Sequence, residues 1–282
     1  MTTDEELRVA ADALGESVLV LGCGDAGEAA ATAVAEADVP ATDDAATPDA
    51  VVLAVDGATP PEALPESVPE APLVVAVVAL PHRPDPGERD LLAALAERVD
   101  SVVLAPGDDA AALTDAVGTL VSVVRDPGFV NLDLADARTL LRPVDLAALG
   151  VGSSEEGAPE DAAAAAFASL PAGVETDPAD GVLVDLLGGP AMSVEDVSDA
   201  VTAVRGRVGP DAHVIWGGGV DDDLAETVRV RLVVASVANV RAAPGDPCPR
   251  CASSLAAYSL GGRTTLSCEH CGFAGVSVRL RE

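Results

Sequence analysis

The sequence contains no lysine: all 16 of its basic residues are arginine, set against 47 acidic residues, for a net charge of −31. Aromatic side chains are almost as scarce, at 2% of the chain. A surface this poor in positive charge argues against binding to nucleic acid or to anionic lipid, since both need cations at the contact. Acidity of this degree in a polar chain would indicate disorder, but 49% of the residues are hydrophobic, enough for a real core. The self-repulsion of such a charge is destabilising in dilute salt. At molar salt the Debye length falls to roughly 3 Å and screens most of it.

Long apolar runs are missing too. The longest aliphatic stretch, "LVVAVVAL" at 73–80, is too short to span a bilayer and predicts a buried strand. The start, "MTTDEELRVAADALG", has no basic segment followed by an apolar one, so no signal peptide is expected. A cytoplasmic location follows as the expectation. There the five cysteines would be thiols or metal ligands rather than disulfides.

What is present is a βα alternation. Apolar strands are predicted at 17–22, 50–55, 73–80 and 101–106, with helices at 28–37, 88–98 and 109–125. That pattern predicts an α/β fold with a parallel sheet covered on both faces, here a shortened Rossmann-like domain over residues 1–146. The proline-rich "TPPEALPESVPEAP" (59–72) predicts an irregular crossover. From 147 to 243 a helix from Pro159, a strand at 181–187, a helix opened by a Ser193/Asp196 capping box, and strands at 212–218 and 227–237 predict a small α+β domain. A linker at 241–247 leads to the last unit, 244–282.

That unit carries Cys248, Cys251, Cys268 and Cys271, two C-x2-C knuckles separated by sixteen residues. Two such knuckles complete a tetrahedral Zn2+ site, and the flanking "RTTLSC" and "GVSVRL" predict the strands of a zinc ribbon. Four thiolates leave no open position for a substrate, so the metal is read as structural. His270 and the unpaired Cys23 are read as a bystander and a core residue.

Two further motifs carry candidate chemistry. "VLVLGCGDAGEAAATAV" places Gly22, Gly24 and Gly27 between a strand and a helix, where backbone N–H groups and a helix N-terminus can face phosphate. The acids that could take a ribose hydroxyl (Asp38, Asp43, Asp44) close no clear second strand, and Asp25 and Glu28 put negative charge where pyrophosphate would lie. A set of turn glycines without a ligand is an equal reading. The second motif, "VNLDLADARTLL" (130–141), sets Asn131, Asp133 and Asp136 into an apolar stretch. One of the carboxylates could simply cap the helix that follows.

With these residues on the page, the chain resembles the FtsZ/tubulin superfamily in its FtsZ branch. "DPGFVNLDLADARTLL" is similar to the family's T7 (synergy) loop, "LGCGDAGEAA" falls where its first phosphate loop belongs, and 181–237 is similar to its C-terminal domain. The resemblance covers about residues 17–237 and leaves out the ribbon. The composition resembles that of a cytoplasmic protein of a salt-in halophile, haloarchaeal in type. The resemblance implies that Asn131, Asp133 and Asp136 act in trans, orienting water for attack on the γ-phosphate of a neighbouring subunit, which is positioning chemistry.

The departures bear on nucleotide binding. In place of the family's glycine-rich signature stands "AVDGATPPEALPE" (54–66), whose prolines cannot donate to phosphate and whose Glu62 and Glu66 would repel it. The segment between this position and the first loop is shortened, as is the stretch before the T7-like loop. GTP binding is therefore not expected, and isolated GTPase activity neither. Three functions remain open: a divergent FtsZ-like protein that caps FtsZ filaments or triggers hydrolysis in them, a residual GTP- or NAD(P)-binding protein, and a nucleotide-free scaffold that docks through the zinc ribbon.

Overall fold

Strands that are apolar on both faces are stable only where both faces can be covered. The computed structural model of this chain describes residues 17–36, 47–80, 84–125, 128–155, 158–174, 176, 179–235, 245, 248, 253–260, 263–271 and 274–275. Within it β1 (Val18–Cys23), β2 (Ala50–Val55), β3 (Leu73–Ala79) and β4 (Ser101–Ala105) pair in parallel in sequential order. All six residues of β2 are buried.

Side chains alternate between two cores, one on each face. On one face α1 (Gly24–Glu36) and α3 (Ala110–Arg125) lay Ala30, Val34, Leu113 and Val117 on Val52, Val75 and Val103. On the other, α2 (Pro86–Ala96) and Leu64 of the proline-rich segment cover Leu53, Ala76 and Leu104. Asp85 and Glu88 close a capping box on α2, with Pro86 as its first residue. The proline-rich segment is irregular as predicted, apart from one 3-10 turn at Pro61–Ala63. Helices α1 and α2 follow β1 and β3, step the same way across parallel strands and lie on opposite faces.

The second half continues the same sheet. It comprises α4 (Leu134–Leu141), β5 (Leu146–Ser154), α5 (Pro159–Ala168), β6 (Gly181–Gly188), α6 (Val194–Val208), β7 (His213–Val220) and β8 (Val228–Ala235). β4 pairs in parallel with β5 through Val102↔Leu146, Val103↔Ala147 and Leu104↔Ala148. The order across all eight strands is β1-β2-β3-β4-β5-β8-β6-β7. The sequence reading had no strand at β5, whose "LAALGVGSS" is small and glycine-containing rather than β-branched. Gly150 and Gly152 lie there because α5 packs directly on the strand: a Cβ on Gly152 would sit 2.1 Å from the Ala166 nitrogen. The 146/147 boundary thus falls inside a strand shared by both halves and does not separate two sheets. The last unit is a separate antiparallel sheet of β9 (Ala256–Leu260), β10 (Arg263–Ser267) and β11 (Ala274–Gly275). β9 was not predicted, and most of "GVSVRL" lies outside the described residues.

One charged pair is sealed inside the apolar sheet. Asp185 on β6 and Arg231 on β8 are cross-strand partners, 6% and 8% exposed. The Arg231 guanidinium donates to the Asp185 carboxylate and to the hydroxyl of Ser122, in the penultimate turn of α3. Ser122 in turn donates to the Thr119 carbonyl. Removing one partner would leave a buried charge unpaired. We expect Asp185→Ala to cost about 3–5 kcal/mol in urea unfolding in molar KCl. The double substitution Asp185→Leu/Arg231→Met should cost clearly less, because no charge is then stranded.

Candidate functional site

The loop between α3 and α4 runs along the outer edge of the sheet. Val130 exchanges two backbone hydrogen bonds with Gly218 of β7, its N–H donating to the Gly218 carbonyl (3.2 Å) and its carbonyl accepting from the Gly218 N–H (2.9 Å). The approach is close enough to need glycine: a Cβ on Gly217 would lie 2.6 Å from Leu132 and 2.7 Å from the Val130 carbonyl. Leu132 is buried beneath the loop, while Phe129 and Val130 are exposed.

Each polar residue of the motif has a local partner. The Asn131 Oδ1 accepts from the Gly128 N–H (2.7 Å) and closes the turn. Asp133 is the N-cap of α4: its Oδ1 accepts from the Asp136 N–H (2.9 Å), and the Asp136 Oδ2 accepts from the Asp133 N–H (3.3 Å). Capping therefore engages both carboxylates, where the sequence reading assigned it only one. Asn131 and Asp133 remain exposed and Asp136 is half-buried, in the same loop as Phe129.

Four of the five large apolar side chains left in solvent among the described residues lie at one sheet edge. The five are Phe129, Val130, Val194, Trp216 and Val220. Trp216 and Val220 lie on β7, and Phe129 sits over Gly218 between them, its Cζ 3.2 Å from where a Gly218 Cβ would be. Val194 opens α6, which follows the neighbouring strand β6. In a chain with one tryptophan and three phenylalanines, two exposed aromatics at one sheet edge form a defined patch.

The glycine loop lies at the opposite edge, and its glycines face protein. Gly24 has φ +76°, and a Cβ there would meet the Thr59 Oγ1 at 2.5 Å and the Asp56 Cβ at 2.7 Å. Gly22 is held close by the backbone of Gly27 and Glu28, and Gly27 by the Ala54 carbonyl. The Asp56 carboxylate accepts from the Ala26 N–H in the first turn of α1 (3.3 Å) and from the Ala58 N–H (2.9 Å). Glu62 and Glu66, whose charge is expected to repel phosphate, are both exposed. The carboxylate at the loop is Asp56, whose signal was its position directly after β2. Cys23 is buried, and burial, followed by the charges of Glu28 and Asp56, pushes its thiol pKa up, as suits a core residue rather than a nucleophile. Asp38, Asp43 and Asp44 lie outside the described residues.

In the small unit the Sγ atoms of Cys248, Cys268 and Cys271 all lie within 4.8 Å of one another, a group capable of coordinating a metal ion. The Cys248–Cys271 sulfur separation is 3.5 Å. A disulfide would need about 2.05 Å, whereas thiolates on one tetrahedral metal at about 2.3 Å stand roughly 3.8 Å apart. Cys251 lies outside the described residues. His270 is exposed and does not join the group.

Residues 145–238 match the family described as "FtsZ family, C-terminal domain". The chain is 33% identical over 145 residues to cell division protein FtsZ 1 of Halobacterium salinarum, a match covering 49% of this chain and 37% of that protein. It is 34% identical over 126 residues to FtsZ 1 of Methanocaldococcus jannaschii, covering 44% and 35%. A solved structure of an FtsZ W319Y mutant from M. jannaschii superposes with a TM-score of 0.65 at 21% identity, over 82% of this chain and 94% of that one.

Residues 145–238 of this chain are similar to the FtsZ C-terminal domain, and the fold is that of solved FtsZ.

The sequence match spans only a third to two fifths of the length of the curated FtsZ relatives. Within the FtsZ-type half, β5 to β8 form the matched domain, and the capped loop precedes it directly. No helix of the described residues is long and apolar enough to cross a membrane.

The capping box makes a test of its own. Asp133→Ala should lower stability by about 1 kcal/mol, whereas Asp133→Ser, which keeps a capping oxygen, should be near neutral. Asp133→Ala and Asp136→Ala should be less than additive, since they break one reciprocal pair. Urea unfolding of the unaltered chain, the three single variants and the double variant in molar KCl reads this out.

Proposed function

We propose that this chain is a divergent FtsZ-like protein that acts on the filaments of a GTP-bound FtsZ, and so on cell division, without binding or hydrolysing GTP itself. It offers the face built from residues 128–136 and the edge of β7, and caps the filament or promotes hydrolysis in its terminal subunit. The observation that carries this reading is the location of the exposed large apolar side chains: four of the five belong to the T7-like loop or to β7, on a chain otherwise coated in acid. Exposed patches of this kind mark contact surfaces. Asn131, Asp133 and Asp136 stand in the same loop, where they could orient water or a cation against a neighbour's phosphate. The partner is a protein rather than nucleic acid, and the location cytoplasmic.

FtsZ 1 of H. salinarum serves as the probe, with GTP in molar KCl. At one chain to ten FtsZ subunits, sedimentable polymer should fall at least twofold, with the GTPase rate followed in parallel. Phe129→Ser/Trp216→Ser should abolish the effect with little change in stability. Asp133→Ser/Asp136→Asn should weaken it without unfolding α4. No change in polymer or GTPase rate up to equimolar addition would end the proposal.

The second part of the reading is a Zn2+ ion on Cys248, Cys251, Cys268 and Cys271 that supplies folding energy to the ribbon. It is supported by the sulfur cluster and by the small core seen among the described residues there, Leu255 and Leu266 with Cys248 and Cys268. Elemental analysis should find one zinc per chain, lost in Cys268→Ser. Chelation should open residues 244–282 to proteolysis and leave the eight-stranded sheet intact. Proteolysis unaffected by chelation would show that the ribbon needs no metal.

A further inference from the structure

We infer that the first turn of α1 contains a latent site for a phosphate-type anion, held shut by the carboxylate of Asp56. The inference deepens the reading above, since it supplies the reason the glycine loop would carry no nucleotide.

Three donors surround the position. The Ala26 N–H, in the positive end of a 13-residue helix, donates to the Asp56 Oδ2 at 3.3 Å, and the Ala58 N–H donates to its Oδ1 at 2.9 Å. The third is Thr59. It is 8% exposed, its Oγ1 has no hydrogen-bond partner, and that atom lies 2.5 Å from where a Cβ on Gly24 would be. A buried hydroxyl left without an acceptor is costly and uncommon in a native structure. This one lies against the middle glycine of the loop, the one at φ +76°. In loops of this type the middle glycine exists so that a pyrophosphate can approach the backbone. Here the approach to Gly24 is made by Asp56 and Thr59.

The Asp56 carboxylate takes two of these donors and leaves Thr59 unbonded, whereas a tetrahedral oxyanion seated against Gly24 could take all three. An incoming phosphate meets an occupied seat and a like charge, with Glu28 adding to the negative field around Cys23. Replacing Asp56 by its neutral isostere removes the charge and lets the side chain be displaced. The loop is thus complete as an anion cradle and closed by the chain's own acid.

The probe is inorganic pyrophosphate, titrated in molar KCl into the full chain and into Asp56→Asn, with calorimetry and the Ala26, Ala58 and Thr59 amide signals as readouts. Asp56→Asn should bind at least tenfold more tightly than the unaltered chain, with the Ala26 signal shifting, and pyrophosphate should raise its Tm alone. Equal affinity in the two proteins, or a folded Asp56→Asn that does not bind, overturns the inference. Should Asp56→Asn not fold, the unaltered chain decides: its Ala26 amide must be protected from hydrogen exchange and undisturbed by pyrophosphate, and an unprotected or shifting amide overturns the inference equally. Filament shortening is assayed on the same preparations. Lost pyrophosphate binding with shortening intact removes only this inference, and absent shortening with Asp56→Asn binding removes only the earlier reading.

Discussion

The Arg231 guanidinium ties together three elements that the chain visits at widely separated times. It pairs with Asp185 across β6 and β8, and it holds Ser122 near the end of α3. A cation sealed in an apolar sheet is tolerable only if its partners are fixed, so the end of α3 has one allowed place over the FtsZ-type half. The T7-like loop begins just beyond that helix. Its course is then pinned twice more, by the Val130–Gly218 bridge and by the capping box on α4. Asn131, Asp133 and Asp136 are therefore presented from a rigid support.

The two ends of the sheet are opposite in character. At the β7 edge the surface is apolar, exposed and anchored. At the β1 edge the glycine loop is packed against the chain's own Asp56 and Thr59. Open parallel sheets bind ligands where the strand order reverses, and β1-β2-β3-β4 runs without a reversal. An apolar, anchored face at one edge and a packed glycine loop at the other are the two features on which the proposed one-sided role rests.

Much of this was legible in the sequence. Continuous runs such as "AVVLAV" can only be buried strands, and Ser193 with Asp196, or Pro159 before Glu160, specifies a helix start through local hydrogen bonds and φ alone. The cysteine spacing specified a metal-type cluster because two thiols on one knuckle need no distant partner. The T7-like motif was legible as a motif, but its dual use was not: that Asp133 and Asp136 cap one another depends on where α4 begins. β5 was missed because its small residues are chosen for the helix that packs on them.

Sequence by itself determined the alternation of strands and helices, their caps, and the acid-rich, lysine-free surface, since each depends on neighbours within a few residues. Tertiary structure alone decided three things. It joined the halves into one sheet, gathered Phe129, Trp216 and Val220 at a single edge, and set the Asp56 carboxylate on the Ala26 N–H thirty residues away. Those outcomes depend on strand order and register, which bring together side chains that no local pattern links.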